Sequence, residues 1–298
     1  MTQRPRSYRE ASARQRILHL CDRHSFHEWV GPLERLTSPH LHALDAPLAF
    51  DDGVVVGHAL LAGKTVVIIA QEGLFNGGAV GEVHGAKIRG ALLRAVEERV
   101  DYVILAVDSG GVRLHEANAG LIAISEIMRA LFAVQEANIP VLALVGGSCG
   151  AFGGMGIVTR LCDVVIMSEE GRMGLSGPEV IETVKGIDEF DAKDRALVWR
   201  VTGGKVRRTL NEAQILVEDT FPAFREALER LLDAGVKPRG FSMATLQEQQ
   251  SKLLERTQLD PAIREGAQLW RVLGMEGDVP LLSVAEFNQR LKGIDHES

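Results

Sequence analysis

Cysteines and aromatic residues are scarce in this chain, and long apolar runs are missing. The three cysteines, Cys21, Cys149 and Cys162, are an odd number, and the closest pair is separated by 162 − 149 = 13 positions. That spacing suits neither a disulfide framework nor a zinc ribbon, so reduced thiols and no metal site are expected. Aromatic residues make up 5% of the chain and the net charge is -7, which argues against a nucleic-acid partner, since such a partner calls for a basic stripe and stacking rings. Apolar runs such as Val66 to Ala70 and Tyr102 to Val107 fall well below the roughly 20 residues that cross a bilayer, so no membrane partner is expected. Arg4, Arg6, Arg9, Arg14 and Arg16 crowd the N-terminus without an apolar signal core behind them. No secretory cleavage is expected, and the location expected is cytoplasmic.

What is present suits a globular enzyme. The 298 residues are 46% apolar and 24% charged, enough to bury a full core in one large domain or two small ones. Helical spacing of Ile17, Leu18 and Cys21 predicts a lead-in helix within 8–24, followed by an irregular stretch marked by Pro32, Pro39 and Pro47. Val54 to Val56 and Thr65 to Ile69 predict a hairpin around the turn at Ala62 to Lys64. The stripe Ile88, Ala91, Leu92, Ala95 and Val96 predicts an amphipathic helix. Strands are then expected at Tyr102 to Val107, Val141 to Val145 and Asp163 to Met167. A long helix from about Glu116 to Ala137 lies between the first two, with Leu121, Ile124, Ile127, Met128 and Leu131 facing the core. This alternation predicts parallel crossovers and an α/β fold. The chain beyond Pro178 reads as mainly helical, including Phe221 to Asp233, with a linker at Pro238 to Gly240 and two or three closing helices. Residues 1–298 are therefore expected to form a single domain, with a core at about 45–235 and a C-terminal helical segment at 241–298.

The chemistry lies in two glycine-rich turns. Asp108-Ser-Gly-Gly-Val-Arg113 follows one strand signal, and the run from Gly146 to Gly156, in which six of eleven residues are glycine, follows another. A strand that ends in glycine and opens a helix leaves main-chain N–H groups unpaired, and the helix dipole adds positive potential at that end. Two such turns can converge on one oxygen, the arrangement that an enolate forming from an acyl thioester requires. The expected donors are the N–H groups of Gly111 and of Gly150 or Ala151, with Gly110 beside them.

Other motifs bear on the same chemistry. Gly146 to Gly150 matches the G-x-S-x-G pattern of a nucleophile elbow, but the triad histidine of that arrangement follows the serine, and only His296 does so here. A hydrolase is set aside on that ground. Cys149 stands where a helix start could acidify its thiol, His84 and His115 lie near glycine turns as possible proton donors, and Lys205, Arg207 and Arg208 could grip a phosphate. Asp51-Asp52 and Asp188-Glu189 read as turn caps or solvated carboxylates.

The segments DSGGVRLHEA from Asp108, SCGAFGGMG from Ser148 and GLSGPEVIETV from Gly174 resemble the carboxyltransferase branch of the crotonase superfamily. GVVVGHALLAGKTVVIIAQE from Gly53, GGAVGEVHGAKI from Gly77 and RILHLCDRHSF from Arg16 fit the same branch, so the resemblance spans about residues 10–235. Within the branch the sequence is most similar to the beta subunits of biotin-independent malonate decarboxylases. The four-cysteine zinc ribbon common in bacterial acetyl-CoA carboxylase beta subunits is missing.

This resemblance implies a crotonase-like carboxyltransferase fold of repeated ββα units. It also implies decarboxylation of a malonyl thioester to the acetyl thioester, in malonate catabolism. No directly bound cofactor is implied. The substrate would arrive on the pantetheine-type prosthetic group of an acyl carrier protein, or as a coenzyme A analogue. The implied partners are a homologous gamma subunit, the carrier and a carrier-loading transferase subunit. The implied substrate surface is Gly77, Gly78, Lys87, Ser148, Cys149, Gly153, Gly177 and Pro178. Two alternatives remain: a beta subunit of a biotin-dependent acyl-CoA carboxylase carboxyltransferase, whose biotin would ride on another chain, and a noncatalytic partner of a homologous subunit.

Overall fold

The computed structural model describes residues 7–45, 47–48, 50, 52–240, 242–259 and 262–295. Asp51 and His296, and with them Arg4, Arg6 and Phe241, lie outside the described residues.

The first helix, α1 (Ala13–Leu20), is opened by a capping box in which the Ser12 side chain takes the Gln15 N–H and Gln15 returns to the Ser12 backbone. The short strand β1 (His27–Glu28) and the one-turn helix α2 (Pro39–Ala43) follow. The expected hairpin is β2 (Val54–Leu61) and β3 (Lys64–Gln71), paired antiparallel from Val54↔Gln71 to Leu61↔Lys64. Next come α3 (Glu82–Glu98), β4 (Tyr102–Val107), α4 (Ala119–Glu136), β5 (Val141–Val145), α5 (Gly153–Leu161) and β6 (Val164–Ser168). Helices α6 (Pro178–Lys185), α7 (Arg195–Thr202) and α8 (Gly204–Thr209) precede β7 (Ile215–Val217) and α9 (Phe221–Ala234). The chain closes on α10 (Met243–Thr257), α11 (Gly266–Val272) and α12 (Val284–Asp295).

Seven strands form one sheet in sequence order, antiparallel from β1 to β3 and parallel from β3 to β7. The parallel strands are buried on both faces, as their unbroken apolar runs require. Val67, Ile69, Val103, Leu105, Val141 and Ala143 face one core cluster with α3, α4 and α5. Ile68, Ile104, Leu142 and Leu144 face a second cluster with α1 and α9.

Between each parallel strand and its helix the chain makes a bridge. Val80 pairs with Val112, and Ser109, Ala151 and Met173 form a ladder of single-residue bridges beside the ends of β4, β5 and β6. Each unit is thus a long strand, a one-residue second strand and a helix, which is the repeated ββα plan expected from the resemblance.

Three expectations need correction. The helix expected from about Glu116 begins at Ala119, after a 3-10 turn at Leu114–Glu116. Leu121, expected in the core, is 58% exposed, and its neighbour Ile122 is 62% exposed. Strand β7 was not anticipated. Helices α11 and α12 close a third cluster on α8 and β7, with Trp270 and Phe287 buried against Val206 and Leu216. Helix α10 buries none of its residues. No described helix is long and apolar enough to cross a membrane.

Candidate active site

The two glycine turns meet, and a buried ion pair holds them together. Asp108, at the end of β4, accepts the Cys149 N–H at 2.7 Å and faces the Arg16 guanidinium at 2.9 Å, with both side chains almost wholly buried. Arg16 comes from α1, where it also donates to the carbonyls of Tyr8, Arg9 and Gln71. One carboxylate therefore ties the first turn, the second turn and the lead-in helix together. Glycine is required around it. A Cβ on Gly147 would stand 2.1 Å from Asp108 Cγ, and one on Gly73 would stand 2.5 Å from its Oδ2. Gly147→Ala is therefore expected to destabilise the protein by about 1–3 kcal/mol or more, the usual cost of overpacking, read as a lowered urea midpoint.

All four expected donors have a hydrogen-bond partner, and for three of them it is a main-chain carbonyl. The Gly110 N–H bonds the Gly77 carbonyl at 2.9 Å, the Ala151 N–H bonds the Arg172 carbonyl at 2.9 Å, and the Gly150 N–H closes its own turn onto Gly147 at 3.2 Å. Gly111 is different. At φ +144° its N–H reaches, among the described residues, only the Ser109 hydroxyl of its own turn, at 3.3 Å. The second turn also departs from expectation, because the helix opens at Gly153, after the bridge residue Ala151, and not at the strand end.

The Gly153 N–H bonds Leu175, and Gly156 bonds back to Phe152. Between them, the N–H groups of Gly154 and Met155 have no partner among the described residues, and Phe152 supplies no side-chain cap. A Cβ on Gly153 would lie 3.1 Å from Gly111 Cα, so the loops touch backbone to backbone. An under-used N–H on Gly111 thus stands near open N–H groups at the positive end of α5.

The remaining expected residues divide into groups. Gly77 and Gly78 hold φ of +63° and +64° beside the first turn, and a Cβ on Gly78 would fall 1.8 Å from the Asp108 carbonyl oxygen. Gly177 caps α6 and Pro178 occupies its first turn. The Ser148 carbonyl receives the Arg172 guanidinium, while its hydroxyl has only the Cys149 sulfur near it, at 4.0 Å, and bonds no histidine among the described residues.

Lys87 is buried, and its Nζ donates to the Val54 carbonyl at 2.6 Å, away from both turns. His84 is fully buried with Nε2 on the Gln71 amide at 3.0 Å, whereas His115 is exposed on the 3-10 turn. Lys205 does not present a phosphate grip. It is buried, ion-paired to Glu169 at 2.6 Å, and donates to the Pro280 and Leu282 carbonyls, which pins the C-terminal segment. Arg207 pairs with Glu212 at 2.7 Å.

Acidification of Cys149 is not what the structure gives. Burial, and then the charge of Asp108, push its thiol above the ordinary value of 9.0, and its Sγ lies 3.4 Å from the Gly73 carbonyl. The thiolate fraction at neutral pH is therefore below that of a free cysteine. Iodoacetamide should label Cys149 slowly at pH 7, with a rate still rising past pH 9, as mass spectrometry of the Cys149 peptide would show.

Two further pairs escaped the sequence reading. Arg16 with Asp108 is the first. The second is Arg113 with Glu116, a buried pair at 3.1 Å in which Glu116 also accepts the Glu82 N–H at 2.7 Å and so caps α3. No local signal marked them, because Arg16 and Glu116 stand among other charged and polar residues in the sequence and only the fold shows that they are buried and must be partnered. On the elements that flank the turns, Leu114, Leu121, Ile122, Ile157 and Leu175 are exposed.

The ββα repeats and paired turns define a carboxyl transferase domain. The carboxyl transferase domain profile matches residues 6–199, and the chain belongs to that family. Within it the chain stands with the malonate decarboxylase subunits. It is 38% identical over 94% of its length, and 93% of the relative's, to the malonyl-S-ACP:biotin-protein carboxyltransferase MADC of Malonomonas rubra. It superposes on a chain of a Pseudomonas malonate decarboxylase hetero-tetramer, in complex with malonate, with a TM-score of 0.80 and 38% identity, covering 90% of this chain and 97% of that one. The 12S subunit of methylmalonyl-CoA carboxyltransferase from Propionibacterium freudenreichii is more distant, 31% identical over 59% of this chain, which spans 33% of that subunit.

Proposed function

We propose that this chain is the beta-type subunit of a malonate decarboxylase and releases carbon dioxide from a malonyl thioester carried on the pantetheine-type arm of an acyl carrier protein. The partners in this reading are a homologous gamma subunit and a transferase that loads the carrier. The observation that supports it is the backbone contact between the turn of Gly111 and the helix start at Gly153 and Gly154, each bringing an under-used N–H. The apolar clusters that link α1, the sheet and the C-terminal helices support reading residues 1–298 as one domain.

The chemistry follows from the electron count. As the bond between the carboxylate and the α-carbon breaks, its electron pair forms a carbon–carbon double bond and displaces the carbonyl pair onto the thioester oxygen. That oxygen becomes negative in the transition state, and preorganised N–H donors stabilise it there more than in the ground state. The donors proposed are Gly111 and, in place of Gly150 or Ala151, Gly154. Gly77, Gly78, Ser148, Cys149, Gly153, Gly177 and Pro178 shape the surface around them. The α-carbon then takes a proton. His84 is sealed beneath the turn, so water or a partner group is the better source.

A second reading, transfer of the carboxyl group to biotin on another protein, is favoured by the activity named for the Malonomonas relative. The two share one enolate and differ in the fate of the carboxyl group. The test is to purify the chain with its copurifying subunits, supply malonyl thioester and measure carbon dioxide release with and without avidin. Release unaffected by avidin is expected. Inhibition by avidin would move the assignment to the biotin-dependent reading, and no release under either condition would overturn the decarboxylase.

A further inference from the structure

A cavity of about 360 Å³ lies between α10 and the C-terminal end of α5. Arg160, Arg239, Lys252 and Arg256 line it, with Glu248 as the one carboxylate in the wall. It is remote from the glycine turns. Arg160 is 160 − 153 = 7 residues on from Gly153 at the start of α5, about 10 Å along the helix axis. Arg239 gives its N–H to Asp163, which precedes β6 and also accepts the Val141 N–H at the start of β5. The cavity therefore opens where these strands begin, and the turns stand where they end.

The carboxylates within reach are already engaged. Glu248 pairs with Lys252 at 2.5 Å, and Glu212, behind the wall, takes Arg207 at 2.7 Å and Arg256 at 3.0 Å. Asp163 accepts the Gln135 amide and two main-chain N–H groups. Arg160 and Arg239 are left over. The Arg160 guanidinium donates to the Glu212 main-chain carbonyl at 2.8 Å but forms no ion pair among the described residues. The exposed Arg239 guanidinium has neither an ion pair nor a hydrogen bond among them. Burial, and the like charges of Arg256, Arg239 and Arg207, disfavour the protonated form of Arg160, with Glu212 alone opposing them. In a chain of net charge -7, two uncompensated guanidinium groups facing one hollow suit two negative charges.

A second feature adds to the positive potential. Gly240 and Thr245 belong to the wall, so the first turn of α10 borders the hollow, and its Met243 and Ala244 N–H groups have no partner among the described residues. The volume exceeds that of a bare ion and falls at the lower end of small-molecule pockets. We propose that this cavity binds a small organic dianion, a phosphate monoester or a dicarboxylate, between Arg160 and Arg239, and that the ligand ties α10 to the body of the domain. Helix α10 buries none of its residues, and among the described residues Arg256, on Glu212 and the Leu210 carbonyl, is its one side-chain tie to another element. An anion shared by Arg160 of α5, Arg239 and the start of α10 supplies a second. The proposal does not depend on the decarboxylase reading, because the site lies at the opposite ends of the strands from the donors.

The chain purified with its copurifying subunits is titrated by calorimetry, at matched ionic strength, with glycerol 3-phosphate, succinate and, as a monoanion, acetate. At least one dianion should bind well ahead of acetate, and the one that does assigns the ligand to phosphate monoesters or to dicarboxylates. R239Q removes an exposed side chain that holds nothing else, so the fold survives it, as an unchanged thermal midpoint would show. It should weaken dianion binding by about tenfold, the effect of losing one charge-assisted contact, and R160Q/R239Q should weaken it further. Binding of neither dianion, acetate binding as tightly as the dianions, or equal binding by R239Q and wild type would each overturn the proposal. Hydrogen exchange of residues 243–257 reads the tie to α10: slower exchange with the dianion in wild type and not in R160Q/R239Q supports it, and binding that leaves the exchange of α10 unchanged removes it.

Discussion

Gly111→Ala should lower carbon dioxide release by about two to three orders of magnitude, the effect that loss of one oxyanion donor has elsewhere. Gly111 sits at φ +144°, a region that L side chains rarely adopt. A methyl group there meets no neighbour within 4 Å, so the change acts through the backbone and not through a clash. The turn must rotate to relieve the strain, and its N–H then leaves the point shared with the start of α5. The strain itself costs of order 1–3 kcal/mol, small enough for a folded domain to survive. Single-turnover release from malonyl thioester measures the chemistry, and far-UV circular dichroism with a thermal midpoint measures the fold. Release within tenfold of wild type by a well-folded variant would remove Gly111 from the catalytic role.

Arg16→Met should cost about 3–5 kcal/mol of stability, because it strands the Asp108 carboxylate in a buried site without its counter-charge. Three carbonyls, those of Tyr8, Arg9 and Gln71, also lose their donor. The loss would be read as a shift of the urea midpoint at unchanged slope. Arg16→Met/Asp108→Asn should recover part of that loss, since no charge is left buried. If the double variant is no more stable than the single one, the charge pairing is not what holds α1 to the turns.

The parts of the fold legible in the sequence are those decided locally. β4 and β5 are unbroken apolar runs ended by an aspartate and a glycine, and their observed limits, Tyr102–Val107 and Val141–Val145, coincide with those runs. Helix α9 begins with Thr220 as its cap and ends at Gly235 in the left-handed conformation, both of which are sequence signals. β7 has three residues, too few for a periodicity, and exists because Ile166 to Ser168 present a sheet edge to it.

Leu121 departs from its expected place in the core for a different reason: a helical stripe shows that a face is apolar, but not whether the protein's own core covers it. The site was legible as a place and not as a set of donors. Glycine density marked where backbones approach, whereas the carbonyls that take the N–H groups of Gly110, Gly150 and Ala151 come in part from segments distant in sequence, such as Gly77 and Arg172. The coupling of Arg16 to Asp108 likewise depends on α1 folding back over the ends of β3 and β4.

The bare leucines and isoleucines on the elements that carry the donors also govern how the polypeptide behaves when made by itself. Leu114 is 86% exposed and Leu175 70%, and surfaces of that kind seek cover in water. Produced without its companion chains, the polypeptide should stick to other copies of itself and precipitate at modest concentration, and joint synthesis should keep it in solution. Greasiness where chemistry happens ties the yield of usable material to the supply of whatever caps it.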